Sequence, residues 1–537
     1  MNDKAYSRHN ENYVDKEKGC MADAKMASTV DAAAGQIEAE HELTFTEGVR
    51  QYPWAVIWSV IVSLTVVMDG YDNTLVNSFF GFPQFVDKFG TVVNGEKVIT
   101  ASWQMGLSSI ICVGNIIGVL FSGQLSDNFG HIWVMLGAMV FLIGTIFMFF
   151  FAPNVEVLFA ACLVSGIPVG IFSAIAPAYA SEVCPVVLRA YLTTYINACW
   201  IIGQLSSQGV LRGCLPIPNH WSFRIPFAIQ WAWPIPISVL VFLAPDSPWW
   251  HVRHGRLDKA RKMVRRLVNK DMEETQVDRI VGMMIHTNEL ERKEQGNSTY
   301  LDCFRGVDLC RTEISCITFI CQPASMGNIM AYSAYFFQLA GLPADQSFNL
   351  SIGQYCIGLV GTVLSWILIA HAGRRTIYII GLFSVGFLYL IMGFIGLAPE
   401  SNTAAPWAVA GMLLFIIFVY DLSVGPVCFS LVSEMSSTRL RTKTISLARG
   451  TFQVWSVING VIYPQMLNET AGNWKGKIGF FQFGICTICG LWAYFRLPEP
   501  KGRTYEEMDI MFMNSLPARK FSSYTVVVDQ ETSPSAN

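Results

Sequence analysis

The sequence predicts an all-α membrane protein with twelve transmembrane helices in two six-helix halves. Three observations support this fold class. The chain has 537 residues, of which 52% are hydrophobic and only 14% charged, and this composition is too apolar for a soluble protein of this size. Twelve apolar runs have a length that crosses a bilayer. A short polar motif occurs once in each half of the chain.

The repeated motif reads Ser-Glu, five residues, then Leu-Arg. It occurs as Ser181–Arg189 and again as Ser433–Arg441. Each copy lies between two apolar segments, so each is expected to form a short polar turn between membrane helices. Matching halves in a polytopic membrane protein indicate transporter architecture, with a substrate site near the bilayer midplane where the halves meet.

The apolar runs also predict the domain boundaries. A polar N-terminal tail (1–52), expected to be disordered, precedes a first six-helix bundle (53–244). A charged connector with short helices (245–312) leads to a second bundle (313–496) and a polar C-terminal tail (497–537). The twelve runs begin near Trp54, Gln104, Ile132, Val155, Ala190, Ile225, Glu313, Phe348, Thr376, Ala405, Thr444 and Lys477.

Basic residues predict the orientation of the spans. They concentrate in the even-numbered connections, which carry Arg189, Arg374 and Arg441 and include the strongly charged connector after the sixth run, with its more than ten basic residues. Because Lys and Arg favour the cytoplasmic side, both tails are predicted to be cytosolic. The glycosylation sequon at Asn468 is then expected outside the cell, and the one at Asn297 inside.

Composition argues against several function classes. The net charge of -3 argues against a polyanionic partner, and nothing in the sequence resembles a nucleic-acid footprint. The 14 cysteines are scattered, and the close pair Cys486 and Cys489 lies in an apolar run, where packing is the simpler interpretation. No nucleophile with its base and no phosphate loop occurs at sensible spacing, so no enzyme, metal or cofactor is expected.

Six motifs follow one another along the chain. They are Gly70–Asp72, Gly166–Gly170, Leu188–Leu205, Pro245–Trp250, Leu440–Thr444 and Pro498–Thr504. Together they resemble the sugar porters of the major facilitator superfamily, and the Trp249-Trp250 pair is similar to the fungal alpha-glucoside (maltose-type) permeases. The resemblance runs from about Trp54 to Met511. It implies the major facilitator fold and uptake of an alpha-glucoside with a proton by alternating access.

Two carboxylates lie in the middle of the first apolar run. Asp69 and Asp72 would each cost roughly 2.5 to 3.5 kcal/mol to insert as charges, so a functional role is the default interpretation. They lie three residues apart, near one helical face. The resemblance implies that Asp72 is the proton-coupling group, since the proton affinity of a carboxyl group responds to nearby ligands and charges. Either residue could instead make a structural hydrogen bond.

One position departs from the family pattern. Many proton-linked sugar porters have an arginine in the fourth helix where this chain has Cys162, which keeps a sugar uniporter open as an alternative. Arg449 is the remaining deep cation, expected to pair with Asp72, Asp69 or Asp421 unless it snorkels to the cytoplasmic face. Asp421, in the tenth run, is a candidate second proton site or a sugar contact.

A sugar site needs amides for the hydroxyls and an apolar face for the ring. By their place in the family motifs, the candidate sugar ligands are Asn197, Gln322, Asn328 and Phe429. Less securely matched polar or aromatic residues are Gln204, Gln208, Tyr332, Gln453 and Asn459. Any one of them could instead bond between helices. As a set they favour an uncharged polyhydroxylated ligand.

Charged motifs near the cytoplasmic ends of the helices are candidate latches that hold one conformation. The residues are Glu182, Arg189, Glu434, Arg441, Asp127, Arg374 and Arg375. His131 and Ile132 stand where the family pattern expects basic residues after Gly130, which weakens the latch at Asp127. Solvated loop charges with no role in gating are the alternative interpretation.

The interpretation that joins these features is a monomeric proton-coupled sugar symporter in the lipid bilayer of a fungal plasma membrane. Its partners would be a small sugar and a proton. A non-transporting sugar sensor on the same scaffold is a second alternative, although a sensor usually has a longer cytosolic tail than the one after Phe495.

Overall fold

The computed structural model is almost wholly helical over the residues that it describes. It describes residues 44–93, 96–294, 300–327, 329–339, 341–399, 404–436, 440–468, 472–501, 508, 511–514, 516–521 and 524. Within these residues the β structure is one antiparallel hairpin that pairs Thr91–Val93 with Glu96–Val98. The predicted helical fold class is confirmed.

Nine helical segments of the described chain are long and apolar enough to cross a membrane. They are Pro53–Gly81 (span 1), Ala101–Phe129 (span 2), His131–Phe150 (span 3), Val155–Val183 (span 4), Trp221–Leu243 (span 6), Ala344–His371 (span 8), Arg374–Ile395 (span 9), Ala405–Met435 (span 10) and Lys475–Arg496 (span 12). Three further helices, which are more polar than these nine, complete the predicted set of twelve spans. They are Val186–Cys214 (span 5), Gly306–Met326 (span 7) and Arg441–Leu467 (span 11).

Prolines interrupt two of the spans. In span 10 the helix Ala405–Leu422 ends and Val424–Met435 begins beside Ser423. Pro426 has no N–H to donate to the carbonyl of residue 422, and its ring crowds that carbonyl. In span 6, Pro234 acts in the same way on the carbonyl of Gln230, where the helix tightens into a 3₁₀ turn.

The remaining helices of the described chain lie in the connections and near the chain ends. They are Phe45–Gln51, Pro83–Phe89, Pro248–Arg253, Leu257–Leu267, Glu274–Glu294 and Ser333–Leu339, with 3₁₀ turns at Tyr300–Phe304 and Ala518–Lys520. Span 1 itself consists of Pro53–Ser63, Thr65–Ser78 and a 3₁₀ turn at Phe79–Gly81.

The backbone divides into two compact units. Unit 1 comprises residues 1–59, 179–190 and 245–297. Within it, the Tyr179 hydroxyl donates to the Pro245 carbonyl at 2.7 Å, and the Asn269 amide donates to the Gln51 carbonyl at 2.8 Å. These bonds tie the repeated Ser-Glu turn and the start of span 1 to the connector.

Unit 2 comprises residues 60–178, 191–244 and 298–537 and holds most of the membrane helices. Its spans approach closely where glycines face backbone. Gly118 of span 2 lies against the Ile167 carbonyl of span 4, and Gly70 of span 1 lies against the Trp200 carbonyl of span 5. A side chain at either glycine would collide with main-chain atoms, so small residues set these helix separations. The domain boundaries drawn from the apolar runs remain a prediction.

Candidate functional site

Asp69 and Arg449 form a buried ion pair between span 1 and span 11. Asp69 is 3% exposed, and its Oδ2 lies 4.0 Å from a terminal nitrogen of Arg449. The Arg449 guanidinium also lies 4.3 Å from the centre of the Phe452 ring. At 4.0 Å the two charges attract each other but lie beyond hydrogen-bond distance, and Arg449 Nε is buried without a partner among the described residues. Of the three carboxylates proposed to pair with Arg449, the structure brings Asp69 to it.

Asp72 has a different environment from Asp69, although one helix carries both. It is 8% exposed, and Gln230 Nε2 donates to its Oδ1 at 2.6 Å. Gln230 belongs to the 3₁₀ turn of span 6, so the proline-induced break places this amide beside the carboxyl group. A narrow crevice beside Asp72 is lined by Met68, Tyr71, Leu142, Ile146, Gln230 and Trp233. Asp72 therefore faces spans 3 and 6 within the first half of the chain.

Asp421 is the third buried carboxyl group and lies in span 10, 2% exposed. The amide of Asn197 from span 5 faces it, and Asn197 Nδ2 also donates to Thr362 Oγ1 of span 8 at 3.2 Å. Oδ2 of Asp421 has no hydrogen-bond partner within the described part of the chain. Three spans therefore meet at one polar cluster.

Span 7 contributes the next candidate ligand. Gln322 Nε2 donates to the Gly425 carbonyl of span 10 at 3.0 Å, while its Oε1 is buried without a partner among the described residues. Phe429, one turn further along span 10, is half-buried and packs edge-to-face on Phe319 with 5.6 Å between ring centres. An amide and a partly open aromatic ring thus lie on neighbouring turns. Asn328 lies outside the described residues.

The remaining amides are buried inside unit 2. Gln204 and Gln453 are 1% and 3% exposed. Two others serve as contacts between helices, because Gln208 Nε2 donates to Ser78 Oγ at 2.6 Å and Asn459 Nδ2 donates to the Pro323 carbonyl at 2.8 Å. Tyr332 hydrogen-bonds Ser108 of span 2. Among the described residues, no group of three or more His, Cys, Asp or Glu side chains could hold a metal ion.

In unit 1, the first copy of the repeated motif binds the connector. Glu182 accepts hydrogen bonds from the Ser247 hydroxyl and from the Arg253 guanidinium. Ser247 belongs to the motif that follows span 6. The side chain of Arg189 is outside the described residues, so its predicted role in this latch stays a prediction.

In unit 2, the second copy forms a related network. Arg374 Nε lies 3.0 Å from Glu434 Oε1. The backbone amides of Arg374 and Arg375 donate to the Glu499 carboxylate at 2.9 and 3.2 Å. The side chain of Arg441 is outside the described residues. Asp127 is exposed at the end of span 2, where the Tyr300 phenol lies near it.

The model of the family described as "Sugar (and other) transporter" matches residues 58–512. The chain belongs to this sugar transporter family.

Two curated relatives from Saccharomyces cerevisiae match this transporter over most of its length. The general alpha-glucoside permease is 38% identical over 512 residues, which are 94% of this chain and 82% of that protein. The maltose permease MAL61 is 36% identical over 527 residues, which are 96% of this chain and 84% of that protein.

Solved structures of the E. coli xylose transporter XylE share the fold. A partially occluded inward-open form aligns with a TM-score of 0.68 at 21% identity, covering 84% of this chain and 99% of that chain. XylE bound to 6-bromo-6-deoxy-D-glucose, described as a proton:xylose symporter, aligns with a TM-score of 0.69 at 21% identity, covering 86% and 99%. This likeness confirms the twelve-helix major facilitator fold of the transporter.

Several contacts of the transporter's site were not predicted from its sequence. The sequence did not indicate that Gln230 would contact Asp72 or that Thr362 would contact Asn197. It also did not indicate the contact of Arg253 with Glu182 or that of Glu499 with Arg374. Their signals were present but weak. Gln230 is an amide in an apolar run that contains prolines. Glu499 lies in the motif after span 12, which indicates the family resemblance but not a contact with Arg374.

Proposed function

We propose that this transporter carries an alpha-glucoside such as maltose together with a proton across the fungal plasma membrane. The observation that carries the proposal is the buried Asp69–Arg449 pair, in a chain whose relatives are an alpha-glucoside permease and a maltose permease. A neutral sugar bound among amides, beside an acid–base group that can take up a proton, meets the chemical needs of symport.

Coupling follows from what protonation does to the ion pair. Span 1 lies in the first predicted half and span 11 in the second, and the ionised Asp69 attracts Arg449 across them. A proton on Asp69 removes that attraction, which frees the two spans to separate. Proton binding at one carboxyl group thereby favours one arrangement of the halves, as alternating access requires. This geometry makes Asp69 the first candidate for coupling and Asp72, held by Gln230, the second.

The sugar is proposed to bind where amides of several spans converge. Their donors and acceptors match sugar hydroxyls, and the half-buried ring of Phe429 supplies an apolar face. The proposed ligands are Asn197, Gln322, Asn328, Gln204, Gln453 and Phe429. Because the sugar is neutral, one proton supplies roughly 2.3 kcal/mol per 100 mV, enough to concentrate it about 40-fold.

The cytoplasmic networks are proposed to latch one conformation by holding helix ends together. In one, Glu182 pairs with Arg253; in the other, Glu434 pairs with Arg374. Arg189, Arg441, Arg375 and Asp127 are proposed as further members of these latches. The protein is proposed to work as a monomer with both termini in the cytosol.

The test is uptake of radiolabelled maltose by yeast that lacks its own sugar permeases, with the external pH recorded. The symport proposal expects saturable uptake and alkalinisation of the medium on sugar addition. Asp69→Asn and Asp72→Asn should abolish accumulation against a gradient. Uptake without alkalinisation would identify a uniporter, and a chain at the cell surface that carries no sugar would fit a sensor.

The orientation has its own test. Cytosolic tails would place Asn468 outside the cell, but its side chain is 2% exposed and its Nδ2 donates to the Ile99 carbonyl at 3.3 Å, so the fold shields that sequon. The sequon at Asn297, which lies outside the described residues, should stay unmodified, and its glycosylation would contradict the proposed topology.

A further inference from the structure

We propose that Asp421 is a specificity-determining sugar ligand whose carboxyl group binds one particular hydroxyl of the alpha-glucoside. The inference rests on the proposed function and adds a residue and a recognition chemistry to it. Its starting point is the cluster formed by Asn197 on span 5, Thr362 on span 8 and Asp421 on span 10.

This cluster has unused hydrogen-bonding capacity. Asp421 is 2% exposed, and its Oδ2 has no hydrogen-bond partner within the described residues. Four residues along the same helix, the Gly425 carbonyl accepts a hydrogen bond from Gln322, whose own Oε1 is also buried without a partner among the described residues. Buried polar atoms are normally paired, and leaving one unpaired is costly. The Asp421 carboxyl group and the Gln322 amide thus each keep an oxygen that could accept a hydrogen bond from a ligand hydroxyl.

Spans 8 and 10 present glycine backbone, rather than polar side chains, to the carboxyl group. Gly358 and Gly361 of span 8 face Asp421, and a methyl group on Gly358 would lie 2.6 Å from its Oδ2. A methyl group on Gly425 would lie 3.3 Å from Oδ1. Glycine backbone therefore packs closely on these sides of the carboxyl group and supplies no side-chain donor to its oxygens.

The neighbours of Asp421 differ in charge from those of Asp69. The side chain that faces Asp421 is the Asn197 amide, a neutral group, and Asn197 is itself a proposed sugar ligand. Asp69, by contrast, has Arg449 as its charge partner. A carboxyl group among amides and a hydroxyl, without a paired cation in this cluster, is suited to hydrogen-bonding sugar hydroxyls. The cluster thus differs in chemistry from the coupling pair.

The experiment measures how maltose analogues that each lack one hydroxyl compete with maltose uptake. In the wild type, removal of the hydroxyl that binds Asp421 should raise the inhibition constant by about 10- to 100-fold, because a buried partner is left unpaired. In Asp421→Asn the inhibition constant of that analogue should exceed the inhibition constant of maltose by about twofold or less, while the corresponding ratios for the other analogues stay as in the wild type. Wild-type uptake and alkalinisation are recorded first, so that failure of the proposed function is seen separately.

A second variant tests the same oxygen while keeping the carboxyl group. Gly358→Ala places a methyl group against Oδ2 and should remove the same discrimination. Gly353→Ala on the same span, where an added methyl group meets nothing within 4 Å, is the matched control and should behave as wild type. Surface amounts are measured for all three variants.

Each contrary result overturns the inference. A uniform loss of affinity for every analogue means that Asp421 only positions helices. An unchanged sugar profile with loss of alkalinisation makes Asp421 a proton site instead. If Asp421→Asn does not reach the surface, the analogue profile of Gly358→Ala tests the inference instead. If neither variant reaches the surface, Asp421 has a structural role and the inference is wrong.

Discussion

Neutralising one member of the Asp69–Arg449 pair should destabilise the folded transporter more than neutralising both. The two charged groups lie 4.0 Å apart and are largely buried. At that distance two unit charges attract by about 4 kcal/mol with an effective dielectric constant of 20. Removing one partner of such a pair costs about 3–5 kcal/mol, since the other charge stays buried without compensation. Removing both charges avoids that cost.

The assay is the half-life of the folded protein in detergent at a fixed temperature. Asp69→Asn and Arg449→Gln should each shorten the half-life, and the double variant should recover at least part of the loss. The interaction energy between the two side chains is expected to exceed about 2 kcal/mol. The destabilisation of the double variant should therefore be much smaller than the sum of the destabilisations of the two single variants. Additive effects would refute the ion pair and, with it, the proposed effect of protonation.

Three further predictions concern packing, the connector and Asp72. Gly118→Ala should abolish surface expression because its methyl group meets backbone of span 4, whereas Gly137→Ala, in open space, should express as wild type. Burial lowers the pKa of His251 in the connector below its usual 6.5, so the unfolded chain binds more protons and stability falls as the pH drops below about 6.5. The melting temperature should therefore drop more between pH 7.5 and pH 5.5 in the wild type than in His251→Gln, and an equal drop would contradict this assignment. Gln230→Leu, which removes the donor to Asp72, should lower sugar accumulation more than sugar exchange in paired flux assays; equal losses would make this contact purely structural.

The sequence was sufficient to predict the spans because hydropathy is a local property. Among the predicted first residues of the spans, the one for span 7 has the largest error. The sequence predicted a start near Glu313, whereas the helix begins at Gly306. Asp308 and Arg311 lie in its first turns and lower the local hydropathy, although they continue the same helix. The break in span 10 was not predicted, even though Pro426 carries the signal for it.

The candidate site was predictable only in part, for a physical reason. Charges inside apolar runs are conspicuous, so Asp69, Asp72 and Arg449 could be named from sequence. Which carboxylate meets Arg449 depends on the rotation of span 1 and on its packing against span 11, and these are properties of tertiary structure. Helical spacing alone places Asp69 and Asp72 near one face, yet the structure gives them partners on spans 11 and 6.

Charge movement driven by sugar tests the central claim most directly. The purified transporter would be reconstituted in liposomes, and currents would be recorded on addition of maltose with no initial pH gradient. The account predicts an inward positive current that saturates with maltose and disappears in Asp69→Asn, although that variant still exchanges labelled sugar. Electroneutral maltose uptake by the wild type, or a full current in Asp69→Asn, would contradict it.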